Sequence, residues 1–220
     1  MFNFAFVYLE KIRVKLLKST LIIILVLVFC YGAFRANFFI NVRILKKAGF
    51  FQTFEQKSTF ALGMSFLKEH KKRFRQFSYI FNPHPVDIIM KDKSKAIEIY
   101  GEILDTEDNK FYAKLVKNFG LVSGGKFNPT NINEDWKTKE GPIVLTYDIN
   151  GQEVKMHPQL TQGSWLDYKI LNHLLKELED RGIILKTAPK LGSVNLRLSK
   201  EEEQLLKDKF GWEFTIKNRD

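Results

Sequence analysis

The sequence predicts an α+β protein, with an N-terminal transmembrane helix and a helical membrane-proximal region followed by a mixed or antiparallel sheet with helices packed on one face. Three observations carry that expectation. The run from Leu16 to Phe34 is broken only by Lys18, Ser19 and Thr20, and at about 1.5 Å per residue it comes close to a hydrocarbon core roughly 30 Å thick. The net charge of +10 is unevenly placed: residues 1–80 carry 14 Lys+Arg against three acids, and residues 81–220 carry 21 against 22. Beyond residue 142 the order of patterns is hairpin, helix, two strands, helix, strand, which suits helices layered on a sheet.

These divide the chain into a basic, aromatic N-terminal tail (1–18), a transmembrane signal anchor (19–38), a helical membrane-proximal region (39–80) and an α+β globular domain (81–220). The cationic excess belongs to the anchor and its flanks, in Lys11, Arg13, Lys15, Lys18, Arg35, Arg43, Lys46, Lys47, Lys71, Lys72, Arg73 and Arg75. The partner this implies is a lipid bilayer with anionic headgroups, near which each such cation gains roughly 1 kcal/mol. Nucleic acid is not expected, because a nucleic-acid module carries its basic stripe on the folded domain. Seven of the 20 phenylalanines fall in the first 39 residues, which again points to the membrane. The single cysteine, Cys30, lies inside the apolar run, so no intramolecular disulfide forms. Phe29 before it argues against lipidation.

Met1 to Ser19 reads either as a helix lying at the interface before the chain turns in, or as a disordered basic tail. Small residues suited to signal cleavage are poorly placed after the run, which favours an uncleaved anchor over removal before Ala33. Flanking cations tie on the two sides. The short N-terminal tail and large C-terminal domain tilt the expectation to a cytoplasmic N-terminus and an extracytoplasmic, periplasmic or extracellular, domain. Phe38, Phe39, Val42 and Leu45 continue a helical pattern out of the bilayer, with Arg35 snorkelling and Gly49 ending the helix. A second helical pattern covers Thr53 to Ile80, and Asn82-Pro-His-Pro85 breaks it.

Strands are expected next at Val86–Met90, Ala96–Leu104 and Phe111–Val122, then a long polar loop at 123–133. Asn150-Gly151 between Ile143–Ile149 and Gln152–Met156 is a two-residue hairpin signal. Leu166, Ile170, Leu174 and Leu178 make one apolar stripe of a helix capped by Ser164 and ended by Gly182. Ile183–Lys186 and Val194–Leu198 read as short strands. Ser199 and Glu202 form a capping box for a last helix, before a strand at Trp212–Ile216.

Signals for chemistry are sparse. Ser123-Gly-Gly-Lys126 is followed by Phe127, Asn128 and Pro129, so it lacks the helix N-terminus a phosphate loop needs. Four histidines, at 70, 84, 157 and 173, show no spacing that places two ligands on one helical face. His84 and Asp87, joined by His157, sketch a metal constellation whose simpler reading is three unrelated turn residues. Glu134 and Asp135 beside Trp136 sketch an acid and base pair in a loop. No cofactor and no metal are therefore expected, and the chain reads as a membrane-anchored binding, assembly or envelope factor with an unidentified protein partner. The alternatives are a membrane-anchored hydrolase, with or without a metal, and an exported soluble domain left after signal cleavage.

Overall fold

A computed structural model of the chain describes residues 2–54, 58–73, 85–99, 110–138, 141–159 and 166–216. Arg75, His84, the turn at 105–109 and Ser164 lie outside these residues. Two compact units are present, Met1–Arg43 with Lys57–Pro83 and Ile44–Gln56 with His84–Asp220.

In the first unit, α1 runs from Phe2 to Lys47 without interruption. The basic tail is therefore neither a separate surface helix nor a coil. No glycine or proline precedes Gly32, and nothing else in the tail breaks the ladder. α2 spans Thr59–Arg73 and starts with the Ser58 hydroxyl accepting the Ala61 amide at 3.1 Å, an N-cap arrangement. Gly63 lets α2 lie close against α1, since a Cβ there would sit 2.4 Å from the Phe39 ring. The Phe60 ring stacks on Phe39 with centroids 5.2 Å apart.

The second unit begins inside the last turn of α1. Leu45, Ala48, Phe50 and Phe51 are fully buried. Gly49 makes the turn between them at φ 72. The short helix α3, Pro85–Ile89, follows, then β1 (Ala96–Glu98) and α4 (Phe111–Val122). β2 (Thr130–Trp136), β3 (Ile143–Ile149) and β4 (Gln152–Met156) form one antiparallel sheet in that order. α5 (Tyr168–Glu179) leads to β5 (Leu185–Thr187), β6 (Val194–Arg197), α6 (Lys200–Phe210) and β7 (Thr215–Ile216). The second sheet is antiparallel throughout, ordered β1-β6-β5-β7. The fold is thus α+β, with two antiparallel sheets and a long apolar N-terminal helix.

Two expected strands are helices. Phe111–Val122 buries Tyr112, Leu115, Val116, Phe119 and Val122, a spacing of three and four that marks one helical face, and its β-branched and aromatic content hid that period. Val86–Met90 lies largely in α3, where Ile88 and Ile89 are both buried; adjacent burial does not fit a strand with alternating faces, and Pro85 suits the first helical turn. Conversely, the polar stretch before Trp136 is strand. Ile132, Glu134 and Trp136 point inward while Asn131, Asn133 and Asp135 are exposed, so these last three lie on the outer face of an edge strand.

The remaining elements follow their signals. Asn150 and Gly151 take φ 53 and 78 at the hairpin whose register pairs Ile149 with Gln152. α5 buries Ile170, Leu171, Leu174, Leu175 and Leu178. Its cap is Asp167, which accepts the Lys169 amide. Ser199 and Glu202 close the expected capping box, and Ser199→Ala should lower stability by about 1 kcal/mol in urea unfolding. The main core joins α4, α5 and the β2-β3-β4 sheet with Ile97 and Leu185. In the second sheet Leu185 and Ile97 share a face by register, and Lys186, Leu196 and Ala96 share the other. Lys186 pairs with Glu203, which places α6 over that second face.

Candidate functional site

The apolar part of α1 is the most distinctive surface of the molecule. Within Leu17–Lys47 lies a stretch long and apolar enough to cross a membrane, with none of its most apolar window buried. Leu21 through Phe29 are each 50–77% exposed. Nine consecutive large apolar side chains thus face outward all round the helix. Cys30 is exposed on the same stretch. Lys18 and Arg43 are exposed, Arg35 and Lys46 are half-buried, and Lys47 is exposed just before the turn. Lys11, Arg13 and Lys15 lie within α1, and Lys71, Lys72 and Arg73 within α2, their side chains outside the described part.

Where α1 ends, the chain enters the globular unit through a polar seam. The buried Asp92 carboxylate accepts the Phe51 amide with one oxygen and, with the other, the Ser94 amide at 3.0 Å and the Ser94 hydroxyl at 2.6 Å. Lys95, also buried, donates to both oxygens of Glu202 at 2.6 Å. Glu202 in turn accepts the Ser199 amide at the start of α6. Gly49 lies against this ion pair, and a Cβ there would stand 2.0 Å from the Glu202 carboxylate. Gly49→Ala should therefore be destabilising on two grounds, the clash and the positive φ.

The expected acid and base pair is divided by the strand that carries it. Glu134 is buried and Asp135 is exposed, on opposite faces as alternation requires. Glu134 accepts the Ala113 amide at 2.8 Å and the Trp136 indole N–H at 2.8 Å. Ala113 lies in the first turn of α4, whose N-cap residue, Lys110, supplies no side-chain bond. Glu134 thus caps that helix from a neighbouring strand, where a negative charge suits the helix dipole. Glu134→Ala should cost about 1–3 kcal/mol in chemical denaturation, and Glu134→Gln, which keeps an acceptor, should recover part of it.

Nearby, the Tyr112 hydroxyl accepts the Asp167 amide at 3.0 Å. Burial pushes the Tyr112 phenol up to about 12, against a partial lowering from that amide and with smaller upward contributions from Asp167 and Glu134. An unfolded tyrosine loses its proton near 10, so between about 10 and 12 the unfolded state binds fewer protons than the folded one. Stability should be undiminished by this group below pH 10 and fall as pH rises to about 12. Tyr112→Phe should flatten that fall in denaturation curves recorded at pH 9 to 12.

Of the metal sketch, Asp87 lies in α3 with its side chain outside the described part, His84 is not described, and His157 is exposed just past β4. Among the described residues no group of three or more His, Cys, Asp or Glu is placed to hold a metal ion. His173 hydrogen-bonds the Tyr147 hydroxyl at 2.9 Å. The glycine loop is closed on itself: the buried Ser123 hydroxyl accepts the Gly125 and Phe127 amides, at 3.2 and 3.0 Å. Those amides have no role left toward a phosphate.

Of the residues at the seam, the sequence pattern did not single out Phe50, Phe51, Asp92 or Lys95, and it marked Glu202 only as a capping-box residue. The Phe50-Phe51 pair after Gly49 was the one available signal. No protein-family model, curated protein or solved structure matches this chain.

Proposed function

We propose that the protein is a single-pass membrane protein that holds its α+β unit beside the bilayer, outside the cytoplasm, and works by binding a protein partner as an assembly or envelope factor. The observation that carries the location is the exposed apolar face of Leu21–Phe29 on a helix whose last turn belongs to the α+β unit. An exposed apolar surface of that extent supports contact with lipid. The charge partition supports the same placing, with anionic headgroups as the lipid partner.

Binding rather than catalysis is supported by how the buried acids are used. Asp92, Glu134 and Asp167 each accept backbone amides, from Phe51 and Ser94, from Ala113, and from Gln159 and Lys169. That is scaffold chemistry, since the carboxylate oxygens are taken up by backbone donors of the fold.

The test is cross-linking in native membranes, comparing the full chain with a version in which residues 44–220 are replaced by an unrelated soluble domain. A partner captured saturably by the full chain alone supports the reading. Hydrolysis of a model substrate by the purified chain that is lost on chelation, or on His157→Ala or Asp135→Asn, would refute it. Protease treatment of sealed right-side-out and inside-out membrane vesicles reads the orientation, and digestion of the α+β unit only in inside-out vesicles would reverse it.

A further inference from the structure

We propose that α2 is a second membrane-contacting element, an amphipathic helix seated in the headgroup layer, with Phe60 and Met64 of α2 and Ile40 of α1 reaching the boundary with the acyl chains. The proposal rests on the membrane-spanning reading of α1. Ile40 is 54% exposed, Phe60 65% and Met64 36%, while Leu62 and Phe66 are buried. Over the described side chains, Thr59 to Phe66, one side of α2 is closed and its other apolar side is open.

The level of that open side along α1 is fixed. Phe60 stacks on Phe39, and Gly63 approaches both Phe39 and Phe38, so the first turns of α2 are held beside Phe38–Ile40. Leu21 to Ile40 is 20 residues, about 30 Å of helix, or one hydrocarbon thickness. If the hydrocarbon ends instead at Arg35, Ile40 lies about 7.5 Å beyond it, at the outer edge of a headgroup layer of roughly 5–7.5 Å on each side. The first placing puts Phe60 and Met64 at the boundary with the acyl chains, and the second puts them in the headgroup layer.

Charge in the second half of α2 points to the same occupant. Lys68 to Arg73 holds four Lys or Arg and one Glu. Exposed apolar side chains followed by a cationic segment suit an anionic bilayer surface, where apolar burial and headgroup attraction act together. Ile40 is an exposed large apolar residue on the same helix as Leu21–Phe29, which favours lipid as the occupant of the face.

The test uses full-length protein carrying Cys30→Ser and one new cysteine, Leu25→Cys, Ile40→Cys, Met64→Cys or Lys155→Cys. Each replaces an exposed side chain. A nitroxide on each is read in vesicles of phosphatidylcholine with phosphatidylglycerol, as the ratio of collisions with oxygen to collisions with a water-soluble nickel complex. The ratio at 40 and 64 should exceed that at 155 severalfold, with 25 higher still. Omitting phosphatidylglycerol should lower the ratio at 64 and leave that at 25 unchanged. A ratio at 64 equal to that at 155, with 25 still high, overturns the proposal alone. Low ratios at both 25 and 64 overturn the spanning reading with it.

Discussion

Phe51→Ala is expected to destabilise the α+β unit by about 3–5 kcal/mol, the usual loss for deleting a buried aromatic ring. Phe51 is fully buried, packs its ring beside Phe50 at 6.0 Å and Phe54 at 6.0 Å, and donates its amide to Asp92. Against a typical total of about 5–15 kcal/mol, the loss is a large share of the folding free energy. Guanidinium unfolding of detergent-solubilised chain should show the midpoint falling steeply with an unchanged slope. Asp92→Ala should act in the same direction, because it removes the acceptor of the Phe51 and Ser94 amides together. A Phe51→Ala midpoint within error of the parent would mean that residues 44–56 are not part of the folded unit.

The second large effect concerns insertion. Leu21 to Phe29 contribute roughly −0.3 to −0.6 kcal/mol each at the centre of a span, a sum of about −3 to −5 kcal/mol. One arginine there costs about 2.5–3.5 kcal/mol, and two cost about 5–7. Ile24→Arg alone should therefore leave insertion marginal, and Ile24→Arg with Val28→Arg should abolish it. Fractionation with an alkaline wash should find the single variant split between pellet and supernatant and the double variant lost from the membrane. Undisturbed retention of the double variant would show that hydrocarbon is not what this stretch faces.

The sequence made the apolar helix, the Asn150-Gly151 hairpin, the α5 stripe and the Ser199 capping box legible, because each rests on local chemistry: span length, positive φ, helical period, a cap three residues from its partner. What it hid was long-range. Glu134 looked like a loop acid because its partner, the Ala113 amide, is 21 residues away. Lys95 and Glu202 are 107 residues apart, and neither has a local signature that separates a buried charge from a solvated one. The two strands expected at Val86–Met90 and Phe111–Val122 failed for a different reason. In short runs rich in Val, Ile, Phe and Tyr, composition suggested strand where spacing indicated helix.

The candidate site was legible only as a location. Its apolar run and basic flanks were plain in the sequence, and so was the absence of a local catalytic motif. The seam at Gly49, Phe51, Asp92 and Lys95 needed the fold, since no pattern of residue types distinguishes it from an ordinary turn.

The most direct test of membrane anchoring uses the chain's own single thiol. Cys30 lies in the exposed apolar stretch of α1, so membranes washed at alkaline pH should carry the protein with Cys30 closed to a water-soluble, membrane-impermeant maleimide. Labelling should reach one maleimide per chain once detergent dissolves the bilayer. Full labelling before detergent, or recovery of the protein in the wash, would contradict the account.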